Sequence, residues 1–314
     1  HAIRDAQESR GLGDVYKRQV MDGKNKINGT EAEDNLWAQY EAAEHAIGRA
    51  SKKDISPSDV IPSIYPEWYD TVHLNIGPYS MAKDYKHFSC IDWYNYAPES
   101  QDWICKEGYG ALVAYRWRNI PVSLNTEARK INWNNSKNIK VETNKGTIEA
   151  KKCILTVSTG ILAADKIKFD PMLTSIKYDS FNGITMGVYN HVAIQFEKNI
   201  FGTKKDDVYM YYKMNSQNAS SPRGIGSYLN ASGSNLSYFD TGGEFARELE
   251  KEGSEAQIDF TMNELRSLFG SDVDKYFVKA ASTAWDSNPF TLGSYASAEP
   301  GSCLLYTSPS PRDS

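Results

Sequence analysis

Between Met186 and Phe196 the chain alternates with a period of two. Val188, Val192, Ile194 and Phe196 fall on one side, and Tyr189, His191, Ala193 and Gln195 on the other. A strand that long with one apolar face has to sit in a sheet that buries that face. Val208–Tyr212 and Gly226–Leu229 read as further strands of the same sheet. Two helices follow, over about 243–251 and 256–269, the second carrying Ile258, Met262, Leu265 and Leu268 along one stripe. Residues 277–285 return as a strand.

The rest of the chain has a different texture. Glu31 to Ala50 reads as an amphipathic helix with Trp37, Tyr40, Ala43 and Ile47 at three- and four-residue spacing, capped by Asn28 or Thr30. Residues 51–107 are rich in proline and aromatics and predict loops and short helices. A helix opens at Gly110 after a glycine turn. Ile120–Asn125 and Ala128–Trp133 read as strands, and 140–143 and 147–150 flank Asn144-Lys145-Gly146 as a hairpin. The apolar run Cys153–Ser158 has the pattern of a buried strand whose C-terminal end opens onto something. A chain of 314 residues accommodates one large domain or two ordinary ones, and this pattern predicts an α/β or α+β protein with two cores.

Composition excludes several functions. A net charge of −5 gives no electrostatic case for a nucleic-acid partner. No apolar run approaches the roughly 18–20 residues that span a bilayer. Cys90, Cys105, Cys153 and Cys303 form neither a CxxC pair nor a histidine-containing metal spacing, which argues against a zinc site and against a disulfide framework.

Both ends carry a non-protein signature. Asp14-Val15-Tyr16-Lys17-Arg18-Gln19 and Cys303-Leu304-Leu305-Tyr306-Thr307-Ser308 translate two DNA strings that are reverse complements except at the terminal base. They are identified as the mosaic end of sequencing libraries, and Ser9–Gly13 and Pro309–Asp313 translate the adjoining adapter. Residues 1–19 and 303–314 are therefore expected to be adapter, and Val20 to about Ser302 the native insert of a truncated protein.

Three blocks then carry a resemblance. The first is Gly108-Tyr109-Gly110-Ala111-Leu112 followed by Ile120-Pro121-Val122-Ser123-Leu124-Asn125 and Ile131. The second runs from Gly146 through Ala150–Leu162 to Ile167-Lys168-Phe169-Asp170-Pro171. The third is Thr283-Ala284-Trp285, Pro289, Gly293-Ser294-Tyr295-Ala296 and Pro300-Gly301. In order and spacing they resemble the flavin-containing amine oxidases, the group of monoamine, polyamine and L-amino-acid oxidases. The resemblance implies an α/β fold in two domains, each assembled from discontinuous segments. Residues 20–105 would form a helical part of the substrate domain and 106–172 a partial FAD-binding domain. Residues 173–280 would form the substrate domain's mixed sheet and helices, and 281–302 would return to the FAD domain. It also implies a small-molecule amine substrate, hydride transfer to FAD and dioxygen as acceptor.

The resemblance assigns residues one at a time, each with a plainer alternative. Ala128 falls where the family has a valine beside the adenine, or is an ordinary strand residue. Thr156, Ser158 and Gly160 fall at a strand end facing the cofactor, or form a turn. Trp285 and Tyr295 match aromatic positions near flavin and amine, or are core. His191 stands where many members have a lysine that holds a water against flavin N5, so it is either a retuned water contact or a structural histidine, and it leaves oxidase or dehydrogenase chemistry open. Tyr65–Tyr69 and Asp92–Tyr96 line an amine channel, with Asp92 or Glu67 attracting a cation, or simply pack between short helices. The pyrophosphate cradle GxGxxG does not occur between residues 20 and 302. The expectation is thus a parent that binds FAD and a fragment that is inactive and binds it poorly. The alternatives are a desaturase or protoporphyrinogen-oxidase-like relative acting on an apolar substrate, and a non-catalytic binding domain with an oxidase-like sheet.

Overall fold

The computed structural model describes residues 18–96, 105, 107–134, 137–203, 206–214, 216 and 220–303. The adapter readings over 1–17 and 304–314 lie outside the described residues, as does 97–104 of the helical region.

The main sheet has seven strands: β1 (Arg18–Asp22), β2 (Asn25–Lys26), β8 (Tyr189–Phe196), β9 (Val208–Tyr212), β10 (Gly226–Leu229), β11 (Leu236–Gly242) and β12 (Phe277–Ser282). Their spatial order is β12-β8-β11-β10-β9-β1-β2. Every neighbouring pair is antiparallel except β1 with β9. The alternation read over 186–196 is observed from Tyr189 onward, where Val192, Ile194 and Phe196 are buried while Tyr189, His191, Ala193 and Gln195 are only partly covered. Met186 ends a separate short strand, Ile184–Met186, that pairs elsewhere. Against the buried face pack α7 (Gly243–Glu252) and α8 (Ser254–Phe269). Met262, Leu265 and Leu268 of the predicted stripe join Val192, Ile194, Phe196, Met210, Leu229 and Phe239 in one core, with Ile258 at its margin.

A second core is helical. It joins α1 (Glu31–Arg49), α2 (Pro66–Leu74) and α3 (Cys90–Asn95) around Leu36, Ile47, Trp68, Ile76, Tyr85 and Phe88. The start of α1 is held differently from the expectation. Thr30 occupies the N-cap position without a side-chain cap, and Glu33 reaches back instead to accept the Gly29 N–H at 2.6 Å. Arg18 and Gln19, which the adapter reading excludes from the native chain, lie in β1, paired with Tyr209 and Met210.

The remaining segment is thinner. The helix α4 (Tyr109–Arg116) precedes a four-stranded sheet of β3 (Ala128–Asn132), β4 (Ile139–Thr143), β5 (Gly146–Ala150) and β6 (Lys168–Asp170), in the order β5-β4-β3-β6. The strands β3, β4 and β5 match the sequence reading, but Ile120–Asn125 and Cys153–Ser158 are irregular chain rather than strands. The physical reason is that a strand exists only through a neighbour. Among the described residues nothing pairs with either segment, and most of their apolar side chains face water: Ile154 is 89% exposed, and Val122 and Leu124 are 70% and 73%, while Val157 packs against Ile131, Ile161 and Ile167. No residue of α4 is buried. Only three residues, Ile131, Ile161 and Ile167, form the buried centre of this region. Two short helices, α5 (Thr159–Ala163) and α6 (Ser175–Gly183), then lead to the small pair β7 (Ile184–Met186) and β13 (Ala296–Ala298). No helix among the described residues is long and apolar enough to cross a membrane.

This exposed surface has a measurable consequence, because large contiguous apolar patches bind partners or aggregate. The chain is expected to bind a hydrophobic-probe dye while folded. The double variant Ile154→Lys/Val122→Lys should lower that fluorescence with no change in the urea midpoint. An equally bright variant would show that the dye reports something else.

Candidate functional site

The end of the main sheet is met by an unusual turn. After α2 the chain continues for five residues, Asn75–Tyr79, as a π-helical turn that contains Pro78. Wide turns of this kind aim side chains and recur at functional positions. The approach to the sheet is close. A Cβ at Gly242 would sit 2.8 Å from Pro78 Cβ, and one at Gly226 would sit 3.0 Å from the Tyr79 ring. Glycine at both places lets the turn press Tyr79 against the sheet.

Beside it lies a cleft of about 590 Å³, lined among others by Tyr79, Asp92, Asn95, Tyr96, Tyr189 and Tyr295. Tyr189 is the hub. Its ring meets Tyr79 edge-on at 5.5 Å, Tyr295 at 5.9 Å and His191 at 5.1 Å. The Tyr295 hydroxyl donates to the Tyr79 carbonyl at 2.7 Å. Burial, reinforced by the Asp240 charge, holds the Tyr79 and Tyr189 phenols protonated far above their ordinary range. The Asp92 carboxylate accepts the Ala298 N–H at 2.7 Å, which fixes it at the cleft wall.

Two residues further along β8, His191 pairs in register with Asp240 of β11, and its Nδ1 hydrogen-bonds Asp240 Oδ1. Asp240 is absent from the sequence reading because β11 carries no clean alternation: Ser237, Asp240 and Thr241 are all buried. The signal that would have found it is register, which a single strand does not display.

Trp285 is held by a network on Asn190. The buried Asn190 amide donates to Glu250 Oε2 at 2.7 Å and accepts the Trp285 N–H at 3.2 Å. Glu250 also accepts the N–H groups of Asp286 and Ser287 and the Ser287 hydroxyl. Arg247, one turn earlier on α7, pairs with Asp286 at 3.1 Å. These contacts pull the chain off β8, so the strand expected over 277–285 stops at Ser282. The indole is 38% exposed but is not among the residues lining the cleft. Burial alone would raise the Glu250 pKa, but its four hydrogen bonds outweigh that and the net shift is downward.

Two further ties fix the helical segment to the sheet. Asp84 accepts the Glu244 N–H at the start of α7 and the Ser221 hydroxyl, each at 2.9 Å, a carboxylate at a helix N-terminus. Buried Lys83 donates to Thr185 Oγ1, the Ser297 carbonyl and Glu299. Burial opposes the Glu299 carboxylate, yet His87, Thr185 and Lys83 carry its pKa down to about 2.

Among the residues assigned from sequence, Tyr295 and His191 meet through Tyr189. Trp285 is anchored next to His191 through Asn190. Thr156 is exposed, and Ala128 lies in β3 opposite Thr143. The Ser158 hydroxyl caps α5 by accepting the Ile161 N–H, and it donates to the Thr291 carbonyl. A Cβ at Gly160 would stand 2.7 Å from the Leu292 carbonyl, so protein fills that space. Trp68 is buried in the helical core, whereas Asp92 and Tyr96 reach the cleft. The described residues do not fit a dinucleotide. The one Gly-x-Gly that opens a helix, Gly108–Gly110, follows no strand, and a Cβ at either glycine would meet nothing within 4 Å.

Two outcomes follow. Glu250→Ala leaves Asn190 and the 286–287 amides without their acceptor, so stability should drop by about 1–3 kcal/mol, read from urea denaturation; Glu250→Gln should recover part of it. Buried His73 accepts the Tyr85 N–H on Nε2 at 3.1 Å, and burial lowers its pKa to about 3. An unfolded histidine titrates near ~6.5. Between those values the unfolded chain binds a proton that the folded chain refuses, so stability should fall as pH drops below about 6.5. A urea midpoint flat across that window would contradict this.

Residues 72–312 match the family described as flavin containing amine oxidoreductase. The chain is 29% identical over 195 residues to polyamine oxidase 4 of Oryza sativa subsp. japonica, covering 60% of this chain and 37% of that protein. It is 26% identical over 203 residues to the lysine-specific histone demethylase 1 homolog 3 of Arabidopsis thaliana, covering 61% of this chain and 12% of that protein. Its fold is that of putrescine oxidase. The structure of the wild type bound to putrescine superposes with a TM-score of 0.68 at 16% identity, covering 92% of this chain and 69% of that one. A double mutant of the same enzyme gives 0.72 at 16%, covering 93% and 72%. The chain thus spans little more than a third of the polyamine oxidase it matches. With its sheet, helices and aromatic cleft arranged in this way, it belongs to the flavin containing amine oxidoreductase family.

Proposed function

We propose that the intact protein is an FAD-dependent amine oxidase and that this chain carries its substrate side. The observation that carries the reading is the cleft in which Tyr79, Tyr96, Tyr189 and Tyr295 stand around one acidic wall residue, Asp92. Phenol faces attract an ammonium group, and Asp92 adds charge of the right sign. That combination favours an amine over the apolar substrate of a desaturase-like relative. A bound flavin would supply the two-electron acceptor for oxidation of the amine, with dioxygen as the final acceptor.

In this reading 20–105 and 173–280 belong to the substrate domain, and 106–172 and 281–302 to the FAD domain. Trp285 and Tyr295 form an aromatic wall, and His191 takes the place of the lysine that holds a water. The resemblance alone assigns Ala128, Thr156, Ser158 and Gly160 to the cofactor side. The chain by itself is inactive. What supports that is the missing GxGxxG, the exposed apolar face of α4 and of 120–124, and the short span of the polyamine oxidase it matches.

The test has two arms. The chain incubated with FAD and desalted should elute without flavin absorbance, and retained stoichiometric flavin would contradict the inactive-fragment reading. In an intact protein built on this chain, Tyr295→Ala should raise KM for a small alkylamine by about tenfold, the loss of a cation–π contact of roughly 1–2 kcal/mol, with a smaller effect on kcat. An unchanged KM would remove the cleft from amine binding.

A further inference from the structure

Asp240 and His191 form a pair with an open end. The carboxylate side chain is 5% exposed and the imidazole 44%. They face each other across the β8–β11 register, and Nδ1 of the ring is committed to Oδ1 of the acid. Among the described residues Nε2 has no hydrogen-bond partner. The backbone on either side is fixed: the His191 N–H donates to Thr283 Oγ1 and its carbonyl accepts the Thr283 N–H, both at 2.9 Å. A carboxylate on one ring nitrogen places the proton there and leaves the lone pair on the other.

We propose that His191 Nε2 is a proton acceptor for the substrate's ammonium group and that Asp240 is its positioning residue. The assignment rests on the amine-oxidase reading above. In the step, one N–H bond of the ammonium breaks and its electron pair stays on the amine nitrogen. The proton forms an N–H bond at Nε2, and the resulting imidazolium is balanced by the Asp240 carboxylate, then loses the proton to water. The neutral amine is the form that can be oxidised.

His191 is not itself among the residues lining the cleft; its ring borders the cleft through Tyr189, which lines it and stands 5.1 Å away. Of the groups facing the ring, Asp240 and Tyr238 come from β11, with the Tyr238 ring 6.3 Å away at 71°. Tyr189 comes from β8 itself, and Tyr79 and Tyr295 stand behind it from the π turn and the 293–295 segment. None of these is cationic. Burial disfavours the charged ring, but the hydrogen bond and charge of Asp240 outweigh it, and the His191 pKa is raised. The accepting form therefore builds up only as pH rises through that raised midpoint.

Imidazole ¹⁵N NMR on the full labelled chain tests the assignment. Neutral His191 should carry its proton on Nδ1, with a midpoint above the ordinary histidine value of about 6.5. Asp240→Asn keeps an acceptor and removes the charge, so it should retain the tautomer and lower the midpoint; Asp240→Ala should lose both. The His73 signal reports whether each variant is folded. If the alanine variant does not fold, the wild-type tautomer decides alone, and a proton on Nε2 overturns the proposal. Adding n-butylamine should shift His191 Nε2 together with Tyr189 and Tyr295. Shifts at the tyrosines with none at His191 overturn the acceptor role and leave the amine reading intact. No shift at any of them overturns the amine reading, and the acceptor role with it.

Discussion

The hydrogen bond between the buried amide of Asn190 and the carboxylate of Glu250 organises the chain where it leaves the main sheet after β12. It ties the start of strand β8 to helix α7 through two buried side chains. The remaining acceptor on Asn190 and the remaining capacity on Glu250 then capture the backbone at 285–287. A buried polar group left without a partner is costly, so the chain after Ser282 has essentially one place to go. Trp285 is fixed by its backbone, which leaves its ring free to face outward.

From that anchor the two faces of β8 divide the labour. One face gives Val192, Ile194 and Phe196 to the core beneath α8. The other presents Tyr189 to the cleft and His191 to Asp240, in a region where aromatic rings, carboxylates and a histidine crowd together. The helical segment closes the cleft through Tyr79, and it is held there by Asp84 at the start of α7 and by Lys83 on the β7–β13 pair. Site and core are thus two sides of the same strands, and a change that unpacks one face displaces the other.

The region from Tyr109 to Phe169 stands apart in its energetics. It holds hydrogen-bonded strands but only a three-residue buried centre, and its apolar surface is large. Apolar side chains at Val122, Leu124 and Ile154 cost free energy in water that a covering layer would recover. By contrast, the cores on either side of the main sheet are filled.

What the sequence determined by itself was what periodicity and turn chemistry encode: the two-faced strand at 189–196, the stripe on 256–269, the helix at 31–49 and the hairpin around Asn144–Gly146. These depend on near neighbours along the chain, so local spacing is sufficient. The ordered motif blocks carried the family, and with it Tyr295, Trp285 and His191 as residues of interest. What only the tertiary structure decided was pairing. Asp240 reaches His191 by strand register, Glu250 of α7 reaches Asn190 and the 286–287 amides, and Tyr79 reaches Tyr189 through a π turn that no spacing announces. The same rule explains the two apolar runs that are not strands. A run of side chains records what a segment wants to bury, whereas a strand requires a second backbone beside it, and that partner is a property of the fold.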